Sequence, residues 1–429
     1  MRFRLEGNDQ RGERVSGTAA RVASPDTTVT GAARVKFALI LGGLSAFGPL
    51  SIDMYLPALP AMANDLRAAD TTVQLTLSAF IIGLAVGQLV LGPLSDTFGR
   101  RRPLIAGLVL YVVGSVLCAV SPNAELLIAA RGVQAVGAAA GIVIARAAVR
   151  DLFSGVAMTK FFSMLMLVNG LAPILAPIIG GQLLNWTSWH GVFVTLAVFG
   201  GLLLIVVALA LPESLPEDLR SSARLGEVLR SYAALLADRV FVGYALSSGL
   251  MFGGLFAYIS GSSFALQEVY GLSPQEFSLV FGFNGVGIVL AGQLNGRLVG
   301  RFTERALLTV GLVLFAVSGI GVLVAAAGGL GLVALLVPLF VMIASIGLTA
   351  PNSSSLALAE HARSAGAASA LLGVLQFVVG GLATPLVGLG DKGSATPMAL
   401  VMAGFAVLAL LAYAGLTRQA SPARSADLS

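Results

Sequence analysis

Long apolar runs separated by short polar breaks fill most of the chain. They cover residues 36–59, 72–93, 103–121, 125–148, 159–182 and 189–211. After a polar stretch at 212–238 they resume at 239–263, 274–296, 305–327, 330–351, 365–388 and 395–417. A hydrocarbon core about 30 Å thick takes roughly 20 apolar residues per helix. The pattern therefore predicts an all-α integral membrane protein with twelve transmembrane helices, six on each side of a linker. Residues 1–35 are rich in Gly, Ser, Thr and Arg and have no apolar run, which predicts a disordered tail. The expected organisation is a tail (1–35), a first six-helix bundle (36–211), a linker (212–238), a second six-helix bundle (239–417) and a short tail (418–429). Within the linker, Leu225, Val228, Leu229, Tyr232, Leu235 and Leu236 recur at helical spacing among Arg224, Glu227 and Arg230. That fits an amphipathic helix on the membrane surface, and an ordinary solvated linker fits as well.

Composition sharpens this picture. Of 429 residues 57% are hydrophobic and 11% charged, against about 25% charged in soluble proteins, which excludes a water-soluble globule. The 52 glycines point to helices packed closely on small-residue faces. The net charge of +5 reflects topology rather than nucleic-acid binding. With the N-terminus inside, Arg67 and Lys392 are the only basic residues left in the outer loops, a strong positive-inside asymmetry. Both termini are therefore expected in the cytoplasm. The sole cysteine, Cys118, lies in an apolar run and reads as a small core residue. His190 and His361 have no Cys or acid cluster beside them in sequence, so no metal is expected. The spans hold no clustered His, paired carboxylates or Ser/Lys dyad, so an enzyme is not expected. No loop is long enough to fold a soluble sensor domain.

Two charges interrupt the apolar spans. Asp53 lies in the run from Ser51 to Pro60, and an ionised Asp at the centre of a membrane helix costs roughly 2.5–3.5 kcal/mol. Such a residue is paired, protonated or facing a water-filled cavity, unless it snorkels from a helix end. Asp53 precedes Pro60 by about seven residues and Arg131 follows Glu125 by about six. At 1.5 Å per residue both are expected roughly 10 Å below the outer surface. An Arg neighbour favours the carboxylate while burial opposes it, so the expectation is a switchable proton site in which Arg131 tunes Asp53. A structural role for Arg131, donating to helix backbones, is the other reading. The stretch Gly92–Pro103 sets Asp96 beside Arg100, Arg101 and Arg102 in a short turn allowed by Gly92 and Gly99. It reads either as an ion-pair latch between moving helices or as a plain inner-face basic cluster. Gly292-Gln-Leu-Asn repeats Gly92-Pro-Leu-Ser 200 residues later, with Arg301 matching Arg101 but Gly296 standing at the place of Asp96. Such an echo fits two halves built from one unit.

These motifs resemble a known family. The stretch from Gly92 through Asp96 and Gly99 to Arg100 and Arg101 matches every position of the signature loop of the major facilitator superfamily. The run Asp53-Met-Tyr-Leu-Pro-Ala-Leu-Pro60 is similar to the bicyclomycin/chloramphenicol-resistance (Bcr/CflA) branch of its drug:proton antiporters. Arg131-Gly-Val-Gln-Ala-Val-Gly137 resembles the fourth-helix motif of proton-coupled members, departing at Ala135, where that motif has Gly. Asn169 to Gly181 resembles the fifth-helix antiporter motif through Gly170, Pro173, Pro177, Gly180 and Gly181, departing at Ala176. The resemblance covers about 36–417. It implies two six-helix bundles around a central cavity and a monomer in the bacterial inner membrane. It also implies efflux by alternating access of lipophilic, bicyclomycin- or chloramphenicol-like drugs in exchange for protons. The proton gradient would be the energy source, with no cofactor. An uptake or metabolite symporter of the same fold is the alternative. For substrate contact the candidates are Tyr55, Gln134 and Asn169 in the first half and Phe252, Phe256, Tyr258, Phe281, Asn284 and Gln376 in the second. Packing or lipid contact is the competing role for each. Pro173 and Pro177 remove backbone donors and bend or soften their helix. With the neighbouring glycines they read as a seal against proton leak, or as ordinary membrane-helix Pro and Gly.

Overall fold

The computed structural model describes residues 31–153, 155–220, 225–359, 361, 365–389 and 393–417. The rest of the predicted tails therefore lies outside the described residues. The first half comprises α1 (Gly31–Asp53), α2 (Leu59–Asp65), α3 (Asp70–Phe98), α4 (Arg101–Ala119), α5 (Ala124–Leu152), α6 (Gly155–Leu183) and α7 (Trp189–Ala210). The linker holds α8 (Leu225–Ala237). The second half comprises α9 (Arg239–Phe264), α10 (Pro274–Leu298), α11 (Glu304–Ala327), α12 (Leu332–Ala359), α13 (Ala365–Val387) and α14 (Thr396–Leu416). Twelve helices are long and apolar enough to span a bilayer, with α1 and α2 forming one span from Val35 to Asp65.

That first span is longer than the apolar pattern suggested, and it is broken. Pro57 and Pro60 have no N–H to donate to the carbonyls four residues before them. The α-helix stops at Asp53, passes through a single 3-10 turn at Leu56–Ala58 and restarts at Leu59. Asp53 is therefore the last residue of a helix that ends inside the protein, not close to an outer surface at Pro60.

In the first half α5 packs against α3 and α4, α1 lies on α5 and α6, and α7 closes on α4. In the second half α9 packs against α12, α13 and α14, and α12 lies between α10 and α11. The halves meet along two seams, α3 with α13 and α6 with α10. These are the second and eleventh, and the fifth and eighth, spans. A twofold that exchanges the halves maps one seam onto the other, consistent with the sequence echo. The linker contains the helix α8. Leu235 is buried and Tyr232 packs beside it, at the base of the second bundle with Phe241 and Leu372. Part of its apolar face thus covers protein rather than lipid.

Candidate transport site and gates

Arg131 is fully buried on α5. Its Nη1 donates to Gln134 Oε1 at 2.6 Å and its Nη2 to the Ser51 carbonyl at 2.9 Å. The guanidinium lies over the rings of Phe80 (4.2 Å) and Tyr55 (4.4 Å), with Phe193 at 5.7 Å. Aromatic faces and directed acceptors enclose the cation in a site with little water. Gln134 Nε2 donates to Ser115 Oγ at 2.8 Å, and Ser51 Oγ shares a hydrogen bond with the Tyr111 hydroxyl at 2.8 Å. Five helices, α1, α3, α4, α5 and α7, thus converge around one guanidinium.

Asp53 is 3% exposed. Its carboxylate makes no hydrogen bond or ion pair among the described residues, so the expected direct pairing with Arg131 is not found. The geometry explains why. Arg131 reaches α1 at the Ser51 carbonyl, and successive helix residues turn by about 100°, so Asp53 points away from the face that Ser51 presents to α4 and α5. It faces the second half instead, on the side of Tyr258 of α9. Arg131 Nε is buried with no acceptor, leaving one strong donor unused.

Tyr258 is buried, stacked on Phe281 (centroids 5.2 Å apart, planes at 15°) and accepts a hydrogen bond from Asn284 Nδ2 at 2.9 Å. This aromatic and amide cluster of the second half confronts Asp53. Phe252, Phe256 and Phe377 form a looser aromatic row nearby on α9 and α13. Gln376 Nε2 donates to Ser248 Oγ at 2.8 Å, and Asn169 Nδ2 to the Leu165 carbonyl of its own helix at 2.8 Å. Two of the substrate candidates belong elsewhere. Tyr55 is fully buried, bonded to Thr76 Oγ1 and laid against Arg131, and Gln134 is fully buried between Arg131 and Ser115. Both position the cation rather than line a cavity.

The break in α1 is also where the halves are tied. With no N–H at Pro60, the Leu56 carbonyl is free to accept from Ser263 Oγ of α9 at 2.6 Å. Gln267 Nε2 donates to the Pro57 carbonyl at 3.2 Å. From α10, Gln275 Nε2 donates to the Gly181 carbonyl at 2.9 Å. All three bonds lie at the end that the basic residues assign to the outside. In the predicted seal, Gly180 faces the break itself. A Cβ there would fall 1.8 Å from the Met54 carbonyl oxygen, a backbone approach open only to glycine. Gly181 stands close against Ser278 of α10, where a Cβ would fall 2.5 Å from the hydroxyl, while Gly170 meets Val289 at ordinary contact distance. Pro173 and Pro177 sit inside α6, which spans this seam.

At the opposite end the signature loop forms an ion-pair network. Arg100 bonds Asp96, Ser95 Oγ (2.8 Å) and, through Nε, Asp151 of α5 (2.8 Å). Burial works against the Arg100 charge, but the hydrogen bonds and charges of Asp151 and Asp96 outweigh it and hold the guanidinium above its ordinary pKa. Glu213, just after α7, accepts from the backbone N–H groups of Arg100 (2.7 Å) and Arg101 (3.1 Å), and Arg101 Nη2 donates to the Ala208 carbonyl at 2.6 Å. Partial burial pushes the Glu213 carboxyl up. The backbone donors of Leu215, Arg100 and Arg101 and the Arg220 charge outweigh that and leave it below the usual range. Gly99 makes this approach possible: its φ is +85°, and a Cβ there would lie 2.5 Å from a Glu213 oxygen. Gly92 lies against Val143 of α5. Sequence reasoning placed Asp96 and Arg100 in the loop but missed Asp151 and Glu213. The signal was an acid at the inner end of a span on each occasion. In the second half, where Gly296 replaces the acid, Asn295 Oδ1 accepts from Asn352 Nδ2 at 2.6 Å, so a neutral bond joins α10 to α12 in the corresponding place.

Residues 41–385 match the sequence profile of the Major Facilitator Superfamily. The chain is 41% identical over 392 residues to an uncharacterized MFS-type transporter, YdgK, of Bacillus subtilis, covering 91% of this chain and 97% of the relative. It is 32% identical over 381 residues to a bicyclomycin resistance protein homolog of Haemophilus influenzae, covering 89% and 96%. In fold it is similar to the partially occluded inward-open xylose transporter XylE of E. coli, with a TM-score of 0.69, 14% identity and coverage of 88% and 96%.

Proposed function

The chain belongs to the major facilitator superfamily and is a multi-pass transporter of the bacterial cytoplasmic membrane, and we propose that it exports lipophilic drugs in exchange for protons. The similarity to a bicyclomycin resistance protein homolog supports the substrate class. The observation that carries the coupling is Asp53: a buried carboxylate with no partner among the described residues, at the end of a broken helix and facing an aromatic and amide cluster.

In this reading Asp53 is the proton carrier. Burial without a partner favours its neutral form, while loss of the proton creates a charge that needs a donor. The unused Nε–H of Arg131 and the Tyr258 and Asn284 cluster opposite are the groups available to meet it. A drug entering from the cytoplasm would settle between Asp53 and the aromatic surface of α9 and α10, a site of apolar walls and few polar groups. Its arrival would displace the proton, and reprotonation from outside would reset the cavity. The structure, tied at the outer end, represents the state that loads from inside. The membrane potential supplies about 2.3 kcal/mol per charge per 100 mV, added to the pH gradient. The protein acts as a monomer and uses no cofactor.

The test is proton release from purified protein in weakly buffered detergent when drug is added. Release is expected from the native chain and absent in Asp53→Asn. Undiminished release in that variant would remove Asp53 from the scheme.

A further inference from the structure

A second cation stands in the inner half of α5. Arg146 precedes the end of that helix at Leu152, about 9 Å inside it at 1.5 Å per residue. Its side chain is exposed and makes no hydrogen bond or ion pair among the described residues. Packing fixes where it points. One turn earlier, Ile142 stands against Gly48 of α1 and Val143 against Gly92 of α3. Arg146, four residues after one and three after the other, projects between those two directions. The halves meet along α3 with α13 and α6 with α10, so the gap between α1 and α3 opens on the space enclosed by the two seams. An arginine in lipid at this depth is costly, whereas one that lines a water-filled vestibule is not.

The charges around it repeat its sign. Arg150 follows one turn on, and Lys36 and Lys160 stand near the inner ends of α1 and α6, all three exposed. The acids at this end of the first half, Asp96 and Asp151, are committed to Arg100. The second half contributes the half-buried rings of Phe252 and Phe377, with open space in front of Gly373, one turn inward from Phe377. Unpaired positive charge beside apolar and aromatic surface suits a lipophilic molecule with an anionic end. Arg131 lies about 22 Å further out along α5, too far for one drug-sized molecule to reach both arginines. The contact at Arg146 therefore belongs to capture from the cytoplasm, before the deeper site beside Asp53 is reached.

We propose that Arg146 receives the anionic group of lipophilic organic acids as they enter from the cytoplasm, so that the cargo includes amphiphilic anions. This rests on the drug-export reading above and adds to it the charge of the cargo. Capture by a screened Coulomb attraction acts on how readily cargo loads, not on the proton step at Asp53.

The test is equilibrium dialysis of the full chain in detergent against radioactive naphthylacetate and its uncharged amide, which share size and ring. Saturable binding of the acid is expected, about tenfold tighter than that of the amide at low salt, with the advantage shrinking as ionic strength rises. Arg146→Gln should remove that advantage with little change for the amide, and Arg146→Lys should keep part of it. Arg146 is exposed, so neither replacement disturbs packing. Equal binding of acid and amide by the native protein would overturn the assignment, as would an equal loss of both in Arg146→Gln. Displacement of the acid by phosphatidylglycerol would put a lipid headgroup at Arg146 and overturn it too. Binding of the amide tests the drug-loading reading separately: amide bound without preference for the acid sinks this inference alone, and neither probe bound sinks both.

Discussion

Arg131 spends its charge on three aromatic faces, one amide and one backbone carbonyl, and each contact requires the planar fork of a guanidinium. Lys presents a single point charge with three rotating donors, so Arg131→Lys is expected to bind drug but lose most proton-driven export, measured as uptake into inverted vesicles with an acid interior. Gln134→Ala should act in the same direction more weakly, because it removes one acceptor from Arg131 and one donor to Ser115. At the other membrane face, Glu213 has its carboxyl held below the usual range by backbone donors. A depressed acid contributes stability that is present above its unfolded pKa, near 4.3, and is lost as pH falls through the lower folded value. Thermal unfolding of the native protein should therefore become more acid-sensitive below about pH 4.3 than that of Glu213→Gln. Equal acid sensitivity in the two proteins would dismiss Glu213 as the tie at the start of α4. Asp53, Arg131, Asp96 and Arg100 were visible in the sequence because charge is conspicuous in an apolar run. Asp151, Glu213, Ser51 and Phe193 were not, because their roles depend on which helix lies beside which.

The break between α1 and α2 shows how much an element can be read, and misread, from local chemistry. Pro60 has no N–H to give the Leu56 carbonyl, and the Pro57 carbonyl lies in the same turn. What the sequence does not disclose is that their donors come from α9, more than 200 residues away, or that the span continues to Asp65. Counting back from Pro60 therefore gave Asp53 too shallow a depth. Pro60→Ala restores an N–H that competes with Ser263 for the Leu56 carbonyl. A single hydrogen bond is worth about 0.5–1.5 kcal/mol net, so the outer-closed population should fall several-fold, read as greater outer-side labelling of an introduced cysteine. Gly180→Val is expected to be harsher. Overpacking costs about 1–3 kcal/mol, and here the obstacle is the Met54 backbone, so export should be lost and α6 displaced from α1. Retained export with an unchanged labelling pattern would show that this close approach is dispensable.

For the whole molecule, twelve spans in two sixes were legible because hydrocarbon imposes a length that repeats, and the echo at 200 residues foretold two related halves. The seams α3 with α13 and α6 with α10 were not legible, since small residues mark close packing without naming the partner. The basic residues predict both ends of the chain on the cytoplasmic side. A fluorescent protein fused after residue 417 should glow and an alkaline phosphatase fusion at the same site stay inactive, with the reverse pattern refuting the orientation. The outer tie carries one more consequence. Most of its acceptors on the first half are main-chain oxygens, those of Leu56, Pro57 and Gly181 beside the Asn185 side chain, and nearly any residue would supply them, whereas the donors to them are the side chains of Ser263, Gln267 and Gln275. Evolutionary drift can therefore loosen this closure mainly from one side, and spontaneous variants selected for altered drug tolerance through a leaky outer door should cluster on α9 and α10.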